Sequence, residues 1–273
     1  MPETKEIHFF GTDIYSPNYL RDEQRYLSFF AAVANEKKIG EASVWYLFSK
    51  RAAQEIKEFC PSAGIIIMLR DPVDVIHSLY SHRFYLGTED IEDFEEALNA
   101  EEARKQGLRL PKNPYPIEGL LYREVGQFTD QVKRYFDVFG REKVKVIIYD
   151  DFKFDAARIC KETFEFLDVD ASFVPEIRII NQNKKIRSKA VRSLIETPPW
   201  PVRSLVRPLT TPELRHRLYL TLRNLNTNNV VRPPLPENLR RAFQRYFALD
   251  VERLSKLLDR DLTHWSQASS NQH

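Results

Sequence analysis

Five consecutive apolar residues, Ile65-Ile66-Ile67-Met68-Leu69, run into the charged pair Arg70-Asp71. A short apolar run of this kind predicts a buried strand. Asp71 and Pro72 follow with the chemistry of a helix start, as N-cap and first-turn residue. Asp74 is spaced to close a capping-box-like pair, and the helix should reach about residue 85. Upstream, Leu20, Tyr26, Leu27, Phe29, Phe30 and Val33 predict a helix over 18–35. A short strand running into a loop is expected over 39–47, and another helix over 49–59. Residues 90–106 read as an acidic, solvated helix. Leu120, Leu121, Val125, Phe128, Val132, Tyr135, Phe136 and Phe139 predict one helix over 119–139, ended by Gly140. Residues 144–149 read as a second strand, with a helix to about 167. Helix–strand–helix order predicts parallel strands joined by right-handed crossovers, and so an α/β protein.

The last third of the chain has a different pattern. Thr197-Pro-Pro-Trp-Pro201 breaks it, and Leu214, Leu218, Leu222 and Leu225 then form an i, i+4 stripe among Arg215, Arg217 and Arg223. That stripe is expected to pack on its own domain. Docking on an anionic membrane or glycan is the other reading. A final helix over 237–259 should pack through Leu239, Phe243, Tyr246, Phe247, Leu254 and Leu257, with Asp261–Trp265 pinning its end. The expected division is an α/β core over 1–190 and a helical extension over 191–273 packed on it.

Composition narrows the class. With 273 residues, 42% hydrophobic and 29% charged, the chain can bury a full core. The net charge of +2 conceals an asymmetry: residues 184–223 hold ten Lys/Arg against two Glu, which leaves the remainder near −6. Cys60 and Cys160 match no metal or redox spacing and are expected to be buried thiols, suited to a reducing, cytoplasmic setting. No apolar run reaches 18 residues, so no membrane span is expected.

Arg70 stands at the carboxyl end of a predicted strand, beside a predicted helix N-terminus. In open α/β sheets such a crevice favours anionic ligands, because free N–H groups and the helix dipole attract negative charge. Taken alone, these residues fit a phosphate site less well than an ordinary strand-to-helix turn. The longer string Arg70-Asp71-Pro72-x-Asp74-x-x-x-Ser78 resembles the 3′-phosphate-binding segment of the sulfotransferases that use 3′-phosphoadenosine 5′-phosphosulfate. The resemblance implies that Arg70 and Ser78 hold the 3′-phosphate. A planar guanidinium fork and a hydroxyl donor suit that task. It also implies a three-layer, P-loop-NTPase-like parallel sheet flanked by helices.

Two other segments carry the resemblance. Lys5-Glu6-Ile7-His8-Phe9-Phe10 is similar to the Lys-Glu-x-x-Phe-Phe segment of glycan-modifying sulfotransferases, which implies Glu6 as general base with His8 as second candidate. By residues alone it would be a surface segment pinned by two phenylalanines. The basic run Lys184-Lys185-Ile186-Arg187 matches, by resemblance, a loop that closes over the nucleotide phosphates, and implies Lys184, Lys185 and Arg187 jointly. Gly40-Glu41-Ala42-Ser43-Val44-Trp45-Tyr46 is similar to the family's Gly-Glu-x-(Ser/Thr)-Pro-x-Tyr pattern, with Val44 in place of Pro. Ser43 and Tyr46 are expected to pack before they touch an acceptor.

The resemblance implies sulfuryl transfer from 3′-phosphoadenosine 5′-phosphosulfate to a hydroxyl of a carbohydrate or glycolipid, with no metal and no nucleic-acid partner. A peripheral membrane contact is compatible with it. The family's Lys-x-Gly-Thr-Thr-type loop, which cradles the 5′-phosphosulfate, precedes the Lys-Glu-x-x-Phe-Phe segment and is not found in this sequence, nor is a Gly-x-x-x-x-Gly-Lys-(Ser/Thr) motif. The expectation is therefore an N-terminally truncated member with a missing first strand–loop–helix and impaired activity, most simply through a misassigned start codon. The alternatives are a non-catalytic nucleotide-binding or interaction module and, more remotely, an unrelated ATP- and Mg²⁺-dependent phosphotransferase.

Overall fold

The computed structural model describes residues 5–176, 184–188, 191, 194–195, 199–201, 204, 210–229 and 232–267. In chain order these form α1 (Glu23–Ser28), α2 (Trp45–Phe48), α3 (Ala52–Phe59), β1 (Ile65–Leu69), α4 (Pro72–Leu86), α5 (Phe94–Asn99), α6 (Glu101–Lys105), α7 (Tyr122–Val125), α8 (Thr129–Phe139), β2 (Val144–Ile148), α9 (Tyr149–Phe154) and α10 (Ala156–Phe166). β3 (Lys184–Ile186), α11 (Pro212–Leu225), β4 (Thr227–Asn229) and α12 (Glu237–Leu258) complete them.

β1 and β2 pair in parallel, Ile65 opposite Val144 and Leu69 opposite Ile148. Ile67, Leu69, Val144 and Ile148 face a core built with Val73 and Ile76 of α4, Val132 and Phe139 of α8, and Phe247 and Leu254 of α12. β1 is not buried on both faces as its unbroken apolar run predicts. Ile66 is 43% and Met68 48% exposed. Burial alternates because α10 covers this second face at β2, where Lys145 pairs with Glu162, and leaves the β1 side open.

The start of α4 forms as expected. Asp71 caps α4 by accepting the Val73 N–H at 2.8 Å, Pro72 is the first helical residue, and Gly87 ends the helix in the left-handed region. Elsewhere tertiary contacts cut predicted helices short. Over 18–35 only Glu23–Ser28 is helical, and turns follow from Phe29. The 39–43 stretch is irregular, and Trp45–Phe48 is a helical turn. The predicted helix over 119–139 starts only at Tyr122, after a 3-10 turn over Ile117–Leu120, and breaks again at Gly126-Gln127, where Asp250 of α12 accepts the Phe128 N–H at 2.8 Å and restarts the helix.

The acidic 90–106 stretch is also more than a solvated face. It folds as α5 and α6, with Phe94, Ala97, Leu98, Glu101 and Arg104 buried. Lys184–Ile186 is a strand rather than a loop, antiparallel to β4. α12 enters the main core through Phe243, Phe247, Val251 and Leu254, and Trp265 closes its end with Nε1 donating to Asp150 at 3.1 Å. Both cysteines are free, Cys60 exposed and Cys160 half-buried, which corrects the expectation of buried thiols. Among the described residues no helix is long and apolar enough to cross a membrane.

Candidate active site

The sequence around Glu6 forms a compact, non-repetitive cluster. Ile7, Phe10, Tyr26 and Ala52 make a second apolar core, with Phe9 stacked on Tyr26 at 4.2 Å, so the segment is anchored rather than superficial. Glu6 and His8 both have positive φ, 59° and 54°. A non-glycine residue pays about 1–3 kcal/mol for such a conformation and keeps it only where its surroundings fix it. Here they do. Val44 N–H donates to Glu6 Oε2 at 2.9 Å, and His8 N–H donates to Ser43 Oγ at 3.0 Å. Phe9 and Phe10 N–H both donate to the Tyr46 hydroxyl, which in turn donates to Glu41. Gly11 N–H donates to Glu55 at 2.7 Å.

The carbonyls of the same segment converge on one cation. Arg21 donates to the carbonyl oxygens of Phe9 at 2.7 Å, Phe10 at 3.2 Å, Gly11 at 3.0 Å and Ile14 at 2.9 Å, and also to that of His8. Its planar fork spans acceptors that an ammonium, three donors on one atom, cannot reach together. Arg21→Lys is therefore expected to lower stability by about 1–3 kcal/mol in chemical denaturation.

Glu6 Oε2 lies 3.3 Å from His8 Nε2. Burial raises the Glu6 carboxyl above the ordinary carboxylate range, against the opposing effects of the Val44 N–H and Lys5. Burial, helped by the Arg21 charge, pushes His8 down to about 4, so at neutral pH its ring is uncharged. His8 stacks on Tyr19 at 4.2 Å, and His8 Nδ1 and the Tyr19 hydroxyl are both buried with no hydrogen-bond partner. The cluster thus holds a carboxylate of raised basicity beside a neutral imidazole and two unsatisfied polar atoms. That is the equipment for taking a proton from a hydroxyl.

A second cluster lies at the start of α4. Arg70 donates to Asp74 Oδ2 at 2.8 Å and stacks over the Tyr149 ring at 5.2 Å, with its side chain 38% exposed. Asp74 does not reciprocate the cap as its spacing predicts, because its other oxygen takes Arg240 of α12, which also reaches Asp71 at 3.3 Å. Ser78 Oγ accepts from Arg232 Nη2 at 2.8 Å, a contact across 154 residues. Arg232 Nε is buried without a partner, and burial together with the nearby Arg70 charge disfavours its protonated form. Three guanidiniums therefore face two carboxylates at a helix N-terminus. A positive surplus and an unsatisfied N–H donor make this an anion-binding arrangement.

Of the residues read from sequence, the structure brings Glu6 to His8, and sets Arg70 and Ser78 in one charged cluster. It does not place Arg70 against Ser78. Arg70 is ion-paired to Asp74, and Ser78 is occupied by Arg232. Lys184 and Lys185 lie in β3, and their side chains are outside the described residues. Arg187 is exposed and donates to Asn228 Oδ1 at 2.7 Å across the β3–β4 pair. Arg21, Arg232 and Arg240 escaped the sequence reading, because no local spacing ties them to their partners. A groove of about 340 Å³ along β2, lined by Lys145, Ile147, Ile159 and Leu258 among others, brings together none of these groups.

No curated protein matches the chain. The sulfotransferase domain family matches residues 52–194, a span that includes both Arg70 and Ser78. A solved structure, that of a sulfotransferase from Alicyclobacillus acidocaldarius, is similar over 97% of this chain and 87% of its own, at 30% identity and a TM-score of 0.69. Its likeness extends well beyond the matched domain. With more than half the chain matched, and an α/β architecture shared over almost its full length, this protein belongs to the sulfotransferase family.

Proposed function

We propose that the protein transfers a sulfuryl group from 3′-phosphoadenosine 5′-phosphosulfate to a hydroxyl of a carbohydrate or glycolipid, acting in the cytoplasm and at an impaired rate, since this sequence holds no Lys-x-Gly-Thr-Thr-type loop for the 5′-phosphosulfate. The observation that carries the donor assignment is the positive surplus at the start of α4, where Arg232 keeps a buried, unpartnered Nε beside Arg70. In this reading Arg70, Ser78 and Arg232 bind the 3′-phosphate. The incoming anion takes over part of the charge that Arg70 now shares with Asp74. Lys184, Lys185 and Arg187 cover the nucleotide.

On the acceptor side Glu6 takes the hydroxyl proton as the oxygen attacks sulfur. The new O–S bond forms as the bond from sulfur to the 5′-phosphate oxygen breaks, and 3′,5′-adenosine bisphosphate leaves with that electron pair. His8, uncharged, is placed to accept or relay a hydrogen bond beside Glu6. The nucleotide, when bound, supplies the activated sulfuryl group. The residues named here bind its 3′ end and move the acceptor proton.

The test is a transfer assay with radiolabelled donor against carbohydrate, glycolipid and amine acceptors. Label on a carbohydrate or glycolipid hydroxyl is the expected result. Nucleotide binding with no transfer to any acceptor would instead assign the chain as a non-catalytic member, and transfer that requires ATP and Mg²⁺ would reject the donor.

A further inference from the structure

The leucine stripe of α11 does not pack as its pattern predicts. Leu214 and Leu218 are each 46% exposed, Leu222 48% and Leu225 65%. At 3.6 residues per turn the four fall within an arc of about 80°. Arg215 borders the arc on one side and the exposed Arg217 on the other. Arg215 is held at the helix start by donating to the Thr210 carbonyl at 2.6 Å. The surrounding sequence, residues 184–223, carries ten Lys/Arg against two Glu, and Trp200 within it is 79% exposed.

We propose that α11 is a docking surface for an anionic phospholipid bilayer, lying in the plane of the interface. The leucines reach the acyl boundary, while Arg217 extends to the headgroups on its aliphatic stem. Charge selects this occupant over a second copy of the chain. A two-fold pair of α11 stripes would bring arginine-bordered faces, each from a strongly basic segment, against one another. Anionic headgroups neutralise the same charge and cover the same leucines. No membrane-spanning element is required, and none is present among the described helices. The proposal is independent of the donor and acceptor assigned above.

The test is sedimentation of the full chain with vesicles of phosphatidylcholine alone and of phosphatidylcholine mixed with phosphatidylserine. Binding should occur to the mixed vesicles and weaken with added salt. Arg217→Ala should weaken it about fivefold, and the pair Leu218→Ser with Leu222→Ser about tenfold or more. These positions are half-exposed, so melting temperature should stay near wild type. If the leucine pair fails to fold, Arg217→Ala and the salt titration decide alone. Failure to bind mixed vesicles, equal binding to both vesicle types, or unchanged binding by the variants would overturn the proposal. A dimer that dissociates in the leucine variant without vesicle binding would overturn it in favour of self-association.

Discussion

Glu6→Gln is expected to lower the rate of sulfuryl transfer by about 10²–10⁴-fold, the usual contribution of a positioned general base. The substitution keeps an oxygen to accept the Val44 N–H and changes little volume, so fold and nucleotide affinity should be retained. The pH dependence adds a second readout. A base must be deprotonated to act, and burial raises the Glu6 carboxyl above its ordinary value. Activity should therefore fall as pH drops through a range above the ordinary carboxylate value of 4.5, and this acidic limb should vanish in Glu6→Gln. His8 is pushed down to about 4, so an acidic limb that persists in Glu6→Gln would contradict the assignment. Steady-state rates across pH for the two proteins give the answer.

The largest stability effect is expected away from both clusters. Glu89 and Arg104 form a bidentate pair at 2.7 and 2.8 Å with both side chains fully buried. Tyr122 donates to the same carboxylate at 2.7 Å, and the N–H groups of Asp90 and Ile91 donate at 2.9 and 3.0 Å. Burial by itself would raise the Glu89 carboxyl. The Arg104 fork, with the Ile91 N–H and Tyr122, more than offsets this and holds it below the ordinary range. Glu89→Ala strands a guanidinium in the core and should cost about 3–5 kcal/mol, a large share of a typical folding free energy. Replacing Glu89 with Leu and Arg104 with Met together should cost less than Glu89→Ala alone, because no charge is left unpaired. Urea denaturation of the three proteins measures both differences. Because the Glu89 pKa is depressed on folding, its contribution is complete above the unfolded carboxylate value and is lost as pH falls through the folded one.

What the sequence disclosed follows the range of the forces involved. β1, the Asp71 cap and Pro72 depend on a few adjacent residues, and the pattern names them. The break at Gly126 depends on Asp250, more than a hundred residues downstream, so hydrophobic spacing alone predicts one continuous helix. The site divides in the same way. Glu6, His8, Arg70 and Ser78 are legible from short motifs. Arg232 reaches Ser78 only after β3, α11 and β4 have been placed, and Arg21 finds its carbonyls only because Glu6 and His8 bend the chain back through positive φ. The 90–106 stretch misleads for a related reason. Its Glu101 looks solvated until Arg123 pairs with it, and its Arg104 until Glu89, just upstream, takes it into the core.

The guanidiniums at the start of α4 are proposed to form a nucleotide-phosphate site. Isothermal titration calorimetry of 3′,5′-adenosine bisphosphate against the wild-type chain, Arg70→Ala and Arg232→Ala tests it most directly. Binding by the wild type is expected, with at least a tenfold loss in each variant, as about 1.5–3 kcal/mol for a lost charge-assisted bond implies. Absence of binding by the wild type, or equal affinity in all three proteins, would contradict it.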